Sequence, residues 1–319
     1  SEIGKTKLFL FSDIHFLRLS TGQNSKCSKE GKWSGGSLIP YGNIEISPAA
    51  VVLNYGQGVF EGTKAFHTYK DNIVLFRPDR NANRMSWSTK RLCIPTINPN
   101  FFMHAVVQTV KDNIDFVPPF GKGSLYVRPI VWGTSPALGV APALEYTFMV
   151  FVSPVGPYFR GGTKMLNLKI ETNYHRAAAK GIGNAKAIGN YSASLFPARE
   201  AKRKGYDEVI YLDASNDSLV EEVGSANIFI IKDDILKTPR LNGSILPGIT
   251  RDSVLQIATE LFKMKAEESD ISIENLDLLP HKTITLYVNI PNTETLNIWA
   301  EDEDYFSQFE SIDDTQNPA

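Results

Sequence analysis

The sequence has few cysteines, little net charge and no long apolar run. Its two cysteines, Cys27 and Cys93, form no close pair, so neither a disulfide framework nor a zinc site is indicated. The net charge of -2 and the lack of a basic stripe argue against nucleic-acid binding. The dense apolar stretch at 146–155 is strand-sized and too short for a membrane span. We therefore expect a protein that binds no nucleic acid, membrane or metal.

The length and composition predict a globular protein of two domains. A chain of 319 residues exceeds one average domain, and 42% hydrophobic residues supply a large core. The region 154–162 is rich in proline and glycine and is typical of a domain boundary. Before it, we predict a strand and turn at 38–46, a hairpin at 65–69 and 73–76, helices at 77–90 and 100–115, and strands at 124–131 and 146–155. This mixture favours an α+β first domain.

After the boundary, strands and helices follow each other. We predict strands at 165–171, 208–212, 225–232 and 234–237, a turn at 213–217, and helices at 191–204 and 250–261. Pro197 lies inside the first of these helices, so we expect a kink or a later helix start. Gly205 is placed to end that helix.

One lysine lies between small residues in the stretch 181–191, which reads GIGNAKAIGNY. The neighbouring glycines and alanines leave room for a flat ligand to approach the amine of Lys186. Lysine forms Schiff bases with carbonyl compounds, including pyridoxal phosphate. The alternative is a solvated lysine in a glycine-rich turn, so other motifs must decide between the two.

Other residues could supply the remaining groups that pyridoxal phosphate needs. Glu222 begins the motif EVGSANIF (222–229), and we expect this glutamate to open a mostly apolar strand. A carboxylate at the end of a buried strand needs a polar partner. The pyridine nitrogen of the cofactor could be that partner. In LPGITR (246–251) a glycine leads into a helix whose free amides could hold the phosphate, and Arg84 could add a cation. Each of these features also has an ordinary explanation when it is taken alone. Glu222 could be a surface glutamate, 246–251 a loop capped by Thr250, and Arg84 a member of a surface ion pair.

Taken together, these motifs resemble the signature of class IV (fold type IV) pyridoxal-phosphate-dependent aminotransferases. The run E-x-G-x-x-N-I-F, L-x-T at 236–238 and L-P-G-I-T-R follow G-N-A-K-A-I-G-N-Y in the order and separation of that family. Three stretches are similar to branched-chain-amino-acid aminotransferases, most of all the plant type: YGQGVFEG (55–62), SLYVRP (124–129) and SPVGPYF (153–159). The resemblance covers residues 34 to about 279.

The resemblance implies a mixed α/β (α+β) fold of two domains. A small α+β domain would span 34–155, an interdomain loop 156–164, and a larger pyridoxal-phosphate domain, built on a β-barrel-like sheet, 165–279. The segments 1–33 and 280–319 are atypical, and the second ends in an acidic tail. We expect the larger domain to be truncated at its C-terminal end.

The resemblance also assigns roles to site residues. Lys186 would be catalytic, forming the Schiff base and moving a proton, which needs a pKa well below the usual ~10.4. Tyr191 would contact the ring hydroxyl and Glu222 the pyridine nitrogen. The phosphate would be held by, or lie near, Arg84, Ser225, Ile249 and Thr250. The substrate side chain would meet a pocket formed by Tyr55, Phe60, Tyr126, Arg128 and Tyr158.

The implied function is a transaminase. It would interconvert L-leucine, L-isoleucine or L-valine with their 2-oxo acids, using 2-oxoglutarate and L-glutamate, as a homodimer. Alternatives with the same fold are a D-amino-acid transaminase and an aminodeoxychorismate lyase. Plant-type relatives occur in chloroplasts, mitochondria and the cytoplasm, and we expect the chloroplast.

Both ends of the sequence depart from the family pattern. The family has a C-T-G-T-A-like phosphate and carboxylate loop after Leu279, whereas this chain reads PHKTITLYV at 280–288, and its last glycine is Gly248. The apolar run LFLF at 8–11 could be a strand, the tail of a transit peptide or sequence foreign to the fold. We therefore expect weak cofactor binding and poor turnover, and a further alternative is a catalytically silent remnant or a mis-predicted product.

Overall fold

The computed structural model describes residues 22–28, 31–156, 166–274 and 286–288. Within them the strands are β1 Gly22–Cys27, β2 Ser37–Ile39, β3 Gly58–Phe60, β4 Thr63–His67, β5 Ile73–Leu75, β6 Ser124–Gly133, β7 Tyr146–Val155, β8 Leu168–Glu171, β9 Glu208–Asp213, β10 Asn216–Val223, β11 Ile228–Lys232, β12 Ile235–Pro239, β13 Lys265–Ser269 and β14 Leu286–Val288. The helices are α1 Val51–Tyr55, α2 Pro78–Arg91, α3 Pro99–Asp112, α4 Ile188–Ala193, α5 Leu195–Arg203 and α6 Ile249–Gln256. A 3-10 turn spans Ile114–Phe116 and a π-helical turn spans Ile257–Leu261.

An antiparallel sheet forms the N-terminal part, which is the described chain up to residue 156. Its strands lie in the order β2-β1-β7-β6-β4-β5, and β3 pairs with β6 beside them. Successive side chains of β6 point to opposite faces. Leu125 and Val127 are fully buried in the core under α3, together with Phe102 and Phe148. The intervening residues of β6, which include Arg128, are turned to the other face.

The C-terminal part, residues 166–274 with 286–288, has two smaller sheets in its described residues. In one, β9 pairs with β8 in parallel and with β10 in antiparallel. In the other the order is β13-β12-β11-β14, and α6 connects the parallel strands β12 and β13. Helix α5 packs on β9 through Ala201, Val209 and Tyr211. The α+β prediction is confirmed.

Several predicted elements are confirmed with small shifts. The hairpin forms between β4 and β5, and Asp71 in its turn has a left-handed φ of 62°. Strand β7 covers the predicted range, and the long helix is divided at Ser194 into α4 and α5, so that Pro197 lies in the first turn of α5. A proline in a first turn loses no intrahelical hydrogen bond, which accounts for the later helix start.

Other predictions about elements are wrong. Glu222 does not open a strand: it is next to last in β10, a strand that begins within the predicted turn at 213–217. The predicted turn itself is present but short, at 214–215, and β10 pairs with β9 directly after it. Ile114 and Leu261 are apolar residues near the ends of the predicted helices 100–115 and 250–261, yet they are 47% and 55% exposed. Each lies in a turn of different pitch, 3-10 or π, which rotates it off the face.

Two strands lie in segments that we expected to be atypical. Strand β1 inserts between β2 and β7 of the first sheet, and β14 pairs with β11. The domain bounds stay a prediction. The apolar run at 8–11, the residues 280–285 and the acidic tail lie outside the described residues. In the part of the chain that the structure describes, no helix is long and apolar enough to cross a membrane.

Candidate active site

Lys186 lies where the N-terminal and C-terminal parts meet. Its backbone N–H donates to the hydroxyl of Ser88 on α2 at 3.0 Å, and its carbonyl accepts from the N–H of Phe60 on β3 at 3.1 Å. The adjacent Ala187 forms a single bridge with Val59. The N-terminal part therefore fixes the main chain of Lys186 on both sides.

The amine of Lys186 lies against two aromatic rings, those of Phe60 and Tyr191. Its Nζ donates to the Tyr191 hydroxyl at 2.8 Å and lies 4.9 Å from the centroid of the Phe60 ring. Burial lowers the pKa of Lys186 to about 7, with a further lowering from Arg84 and Arg128 that Glu61 and Glu222 oppose. The amine is thus available in its neutral form near pH 7.

Tyr191 reaches the amine because α4 begins at Ile188, two residues after the lysine, and its first turn brings Tyr191 back to the same side. Burial raises the pKa of Tyr191, and Glu222 adds to the rise. The phenol therefore stays protonated near neutral pH. Phe60 packs edge-on against Tyr191, with ring centroids 4.7 Å apart.

Glu222 is buried near the end of β10 and has two polar side-chain partners. Its Oε2 lies 2.6 Å from Nη2 of Arg176, and its Oε1 accepts from the Asn227 side chain at 2.8 Å. Burial raises the pKa of Glu222 to about 7 although Arg176 lowers it. Asn227 also donates to the Leu246 carbonyl at 3.0 Å, so one amide connects the carboxylate to the LPGITR loop.

Sequence reasoning missed the roles of Arg176 and Asn227. Asn227 was visible as the asparagine of E-x-G-x-x-N, and the tight turn between Val223 and Ala226 brings it back to Glu222. Arg176 had no motif to mark it, because it lies in a loop 46 positions before its partner. A search for buried carboxylates that need a cation would have predicted that some arginine was required, but not which one.

Arg84 belongs to a buried ion pair, and the surface alternative is wrong. Its Nε and Nη2 donate to the two oxygens of Glu61 at 2.7 and 2.8 Å, and Asn81 donates to the same carboxylate at 2.7 Å. Burial alone would raise the pKa of Glu61, but Arg84 and Lys186 hold it below its usual value. The remaining Nη1 of Arg84 donates to the Pro247 carbonyl at 3.0 Å, at the entrance to α6.

The first turn of α6 presents Ile249 and Thr250 beside Arg84. The N-cap is Gly248, and no side chain among the described residues caps its amides. Backbone N–H groups at such a helix start bind anions. Ser225 lies in the turn after β10 and lines a small cavity with Tyr191, Glu222 and Arg176. The cavity thus joins Ser225 to Tyr191 and Glu222, while Arg84 joins the start of α6 through the Pro247 carbonyl.

Gly248 is needed because no side chain fits there. A Cβ at this position would overlap the side-chain oxygen of Asn227. We expect Gly248→Ala to displace Asn227 and to lower the free energy of unfolding by about 2 kcal/mol, measured by urea denaturation. Gly189→Ala is the matched control, because a Cβ there meets no atom within 4 Å. Equal effects of the two variants would contradict this account.

Of the predicted substrate residues, three lie together. The guanidinium of Arg128 lies 4.6 Å from the centroid of the Phe60 ring and donates to the Tyr126 hydroxyl at 2.9 Å. The buried Nε of Arg128 has no hydrogen-bond partner among the described residues, so it is available to an anionic group.

The other two predicted substrate residues are placed differently. Tyr55 ends α1, is 40% exposed, and its hydroxyl donates to the Leu138 carbonyl, so it does not join this cluster. Tyr158 lies outside the described residues.

Comparisons with known proteins give the family. The sequence pattern of "Amino-transferase class IV" matches residues 58–279. Branched-chain-amino-acid aminotransferase 5, chloroplastic, of Arabidopsis thaliana is 51% identical over 251 residues, which are 79% of this chain and 60% of the relative. Branched-chain amino acid aminotransferase 1, mitochondrial, of Humulus lupulus is 48% identical over 251 residues, 79% of this chain and 64% of the relative. The chain thus spans less than two thirds of the length of these relatives.

Solved structures agree with this assignment. The branched-chain aminotransferase of Thermoproteus uzoniensis superposes with a TM-score of 0.71 at 26% identity, covering 90% of this chain and 98% of that one. The branched-chain amino acid aminotransferase of Escherichia coli gives a TM-score of 0.66 at 26% identity, covering 82% and 79%. With the family pattern over most of its described residues, the chain belongs to the class IV aminotransferases, whose members use pyridoxal phosphate.

Proposed function

We propose that this protein is a transaminase that interconverts L-leucine, L-isoleucine or L-valine with their 2-oxo acids, using 2-oxoglutarate and L-glutamate. The observation that carries the proposal is the amine of Lys186, which has a pKa of about 7 and lies 2.8 Å from the Tyr191 hydroxyl. The names of the similar plant enzymes support branched-chain substrates. They do not favour the D-amino-acid transaminase or the aminodeoxychorismate lyase.

The residues present fit pyridoxal phosphate. A neutral amine suits its aldehyde, and a protonated phenol suits its ring hydroxyl. A buried carboxylate suits the pyridine nitrogen, and an uncapped helix start suits the phosphate. Lys186, Tyr191 and Glu222 would hold the first three groups. The phosphate would lie at Ile249 and Thr250 beside Arg84, near Ser225.

When bound, pyridoxal phosphate supplies an electron sink for the bond electrons of the substrate α-carbon. Lys186 would accept a proton from that carbon and return one, since an amine of pKa about 7 does both near neutral pH. The Tyr191 hydroxyl orients the amine through their hydrogen bond. The Phe60 ring covers it from water, and Arg128 beside that ring offers a cation to an anionic substrate group.

We further propose a homodimer located in an organelle. Leu138, whose carbonyl accepts from Tyr55, is 76% exposed, and the nearby chain position Val140 is 88% exposed. Exposed apolar residues of this kind are typical of an interface. A partner subunit that covers these residues would also bury Tyr55, which would explain why Tyr55 does not line the pocket within one chain.

Relatives carry chloroplastic and mitochondrial names, and we propose the chloroplast as the location of this protein.

Absorbance spectroscopy with added pyridoxal phosphate tests the function. We expect an absorbance band that borohydride reduction traps on Lys186, as peptide mapping would show, followed by 2-oxoglutarate-dependent consumption of leucine. Lys186→Arg is the control, since arginine has a basic side chain of similar length but cannot form the Schiff base.

Other results would support the alternatives. Label scattered over surface lysines, or a trapped band without turnover of any amino acid, would indicate the catalytically silent remnant. Consumption of D-amino acids only would indicate the D-amino-acid transaminase, and release of pyruvate from aminodeoxychorismate would indicate the lyase.

A further inference from the structure

One face of α2 and its N-cap contacts the C-terminal part at four places. Arg84 donates to Pro247, the Ser88 hydroxyl accepts from Lys186, and Arg91 donates to the Gly181 carbonyl at 3.2 Å. The fourth place is the N-cap residue Arg77, whose side chain reaches the first turns of α6. Positions 77, 84, 88 and 91 are spaced by seven, four and three, so they share one side of the helix.

Arg77 holds α6 through two side chains. Its Nη2 lies 2.6 Å from Oδ2 of Asp252, and its Nη1 donates to the Ser253 hydroxyl at 2.5 Å. The same hydroxyl donates to the Ile249 carbonyl at 3.0 Å. A continuous path of hydrogen bonds therefore runs from Arg77 to the first residue of α6.

Stability alone does not explain this arrangement. Arg77 has a left-handed backbone with φ of 46°, which is unfavourable for a side chain of this size. The ion pair that it makes is with Asp252, which is 51% exposed, and half-exposed pairs stabilise proteins little. Strained residues that persist beside a binding site are typical of positioning roles.

We propose that Arg77 is a positioning residue that fixes the first turn of α6, and with it the amides of Ile249 and Thr250, for the phosphate of pyridoxal phosphate. This inference rests on the proposed function. Arg77 does not touch the phosphate itself. It sets where the amides lie relative to Arg84, which approaches the same turn from the same helix.

The contribution of Arg77 is measured by comparing two ligands that differ only in the phosphate. Dissociation constants for pyridoxal phosphate and pyridoxal are determined by absorbance titration for the wild type, Arg77→Gln and Ser253→Ala. We expect Arg77→Gln to weaken binding of pyridoxal phosphate about tenfold and that of pyridoxal less than twofold. Ser253→Ala should act in the same direction, and the double variant should lose less than the product of the two single effects.

Arg80→Gln is the matched control, because Arg80 lies in the same helix but is 55% exposed and pairs only with Asp79 among the described residues. It should change neither constant. If the wild type binds pyridoxal phosphate no more tightly than pyridoxal, both the proposed function and this inference are overturned. The other case is a wild type that binds pyridoxal phosphate more tightly than pyridoxal, as expected. If Arg77→Gln then keeps the same ratio of the two dissociation constants, whether or not both rise, only the role of Arg77 is overturned.

Discussion

Replacing Lys186 with methionine is expected to abolish transamination and to stabilise the cofactor-free protein. Loss of the Schiff-base amine and of its proton transfer should lower kcat by about a thousandfold or more. Methionine has a similar length but needs no hydration, so the cost of placing an amine against Phe60 and Tyr191 disappears. We expect a gain of about 2 kcal/mol in the free energy of unfolding below pH 7, after allowance for partial screening.

The gain should depend on pH in a defined direction. Below about pH 7 the amine is protonated in both the folded and the unfolded chain, and the full cost of the buried charge is present. Between about 7 and the unfolded value of ~10.4, the unfolded chain binds more protons, so the stability of the wild type rises with pH. The advantage of Lys186→Met should therefore shrink through this window and vanish near its upper end.

Urea denaturation at pH 6.5 and 9.5 would measure this difference. Lys202→Met is a suitable control, because Lys202 is exposed on α5. It should shift the free energy of unfolding by no more than about 0.5 kcal/mol at either pH. An advantage of Lys186→Met that is the same at both pH values would contradict the lowered pKa of the amine.

Glu61→Gln is the second change with a large expected effect. The Glu61 carboxylate is completely buried and binds two nitrogens of Arg84, which is itself only 11% exposed. Removing its charge leaves the guanidinium without its counter-ion, and such losses cost about 3–5 kcal/mol. We also expect weaker binding of pyridoxal phosphate, because a displaced Arg84 no longer lies at the start of α6.

The matched control is Glu200→Gln, which removes a carboxylate from a surface ion pair with Arg203. The Arg203 side chain is 76% exposed. It should change the free energy of unfolding by about 0.5 kcal/mol or less. In the double variant Glu61→Gln with Arg84→Met, part of the loss should be recovered, because no buried charge is left without a partner. A double variant that loses the sum of the single effects would show that the two side chains do not act as a pair.

The sequence predicted the parts of the site that are encoded locally. Lys186 and Tyr191 lie five residues apart in one glycine-rich stretch, and a helix start between them brings them together. The LPGITR loop likewise carries its own signals, a glycine and a following amphipathic helix. Strand β6 was predictable from its alternation, which also puts Tyr126 and Arg128 on one face.

The remaining parts could not be predicted because they depend on contacts between distant residues. The partner of Arg84 is Glu61 on a neighbouring loop, and the partner of Glu222 is Arg176. Charge alone does not identify such pairs, since every acidic residue has several basic candidates along the chain. Strand β10 was missed for a related reason: its polar first residues indicate a turn until β9 is available as a partner.

The main-chain anchorage of Lys186 makes the site a joint product of both parts of the chain. Its N–H and carbonyl are bonded to Ser88 and Phe60 of the N-terminal part, whereas Glu222 belongs to β10 of the C-terminal part. The position of the amine relative to the carboxylate therefore depends on how the two parts pack together. A substitution that loosens this packing would disturb the site without touching either side chain.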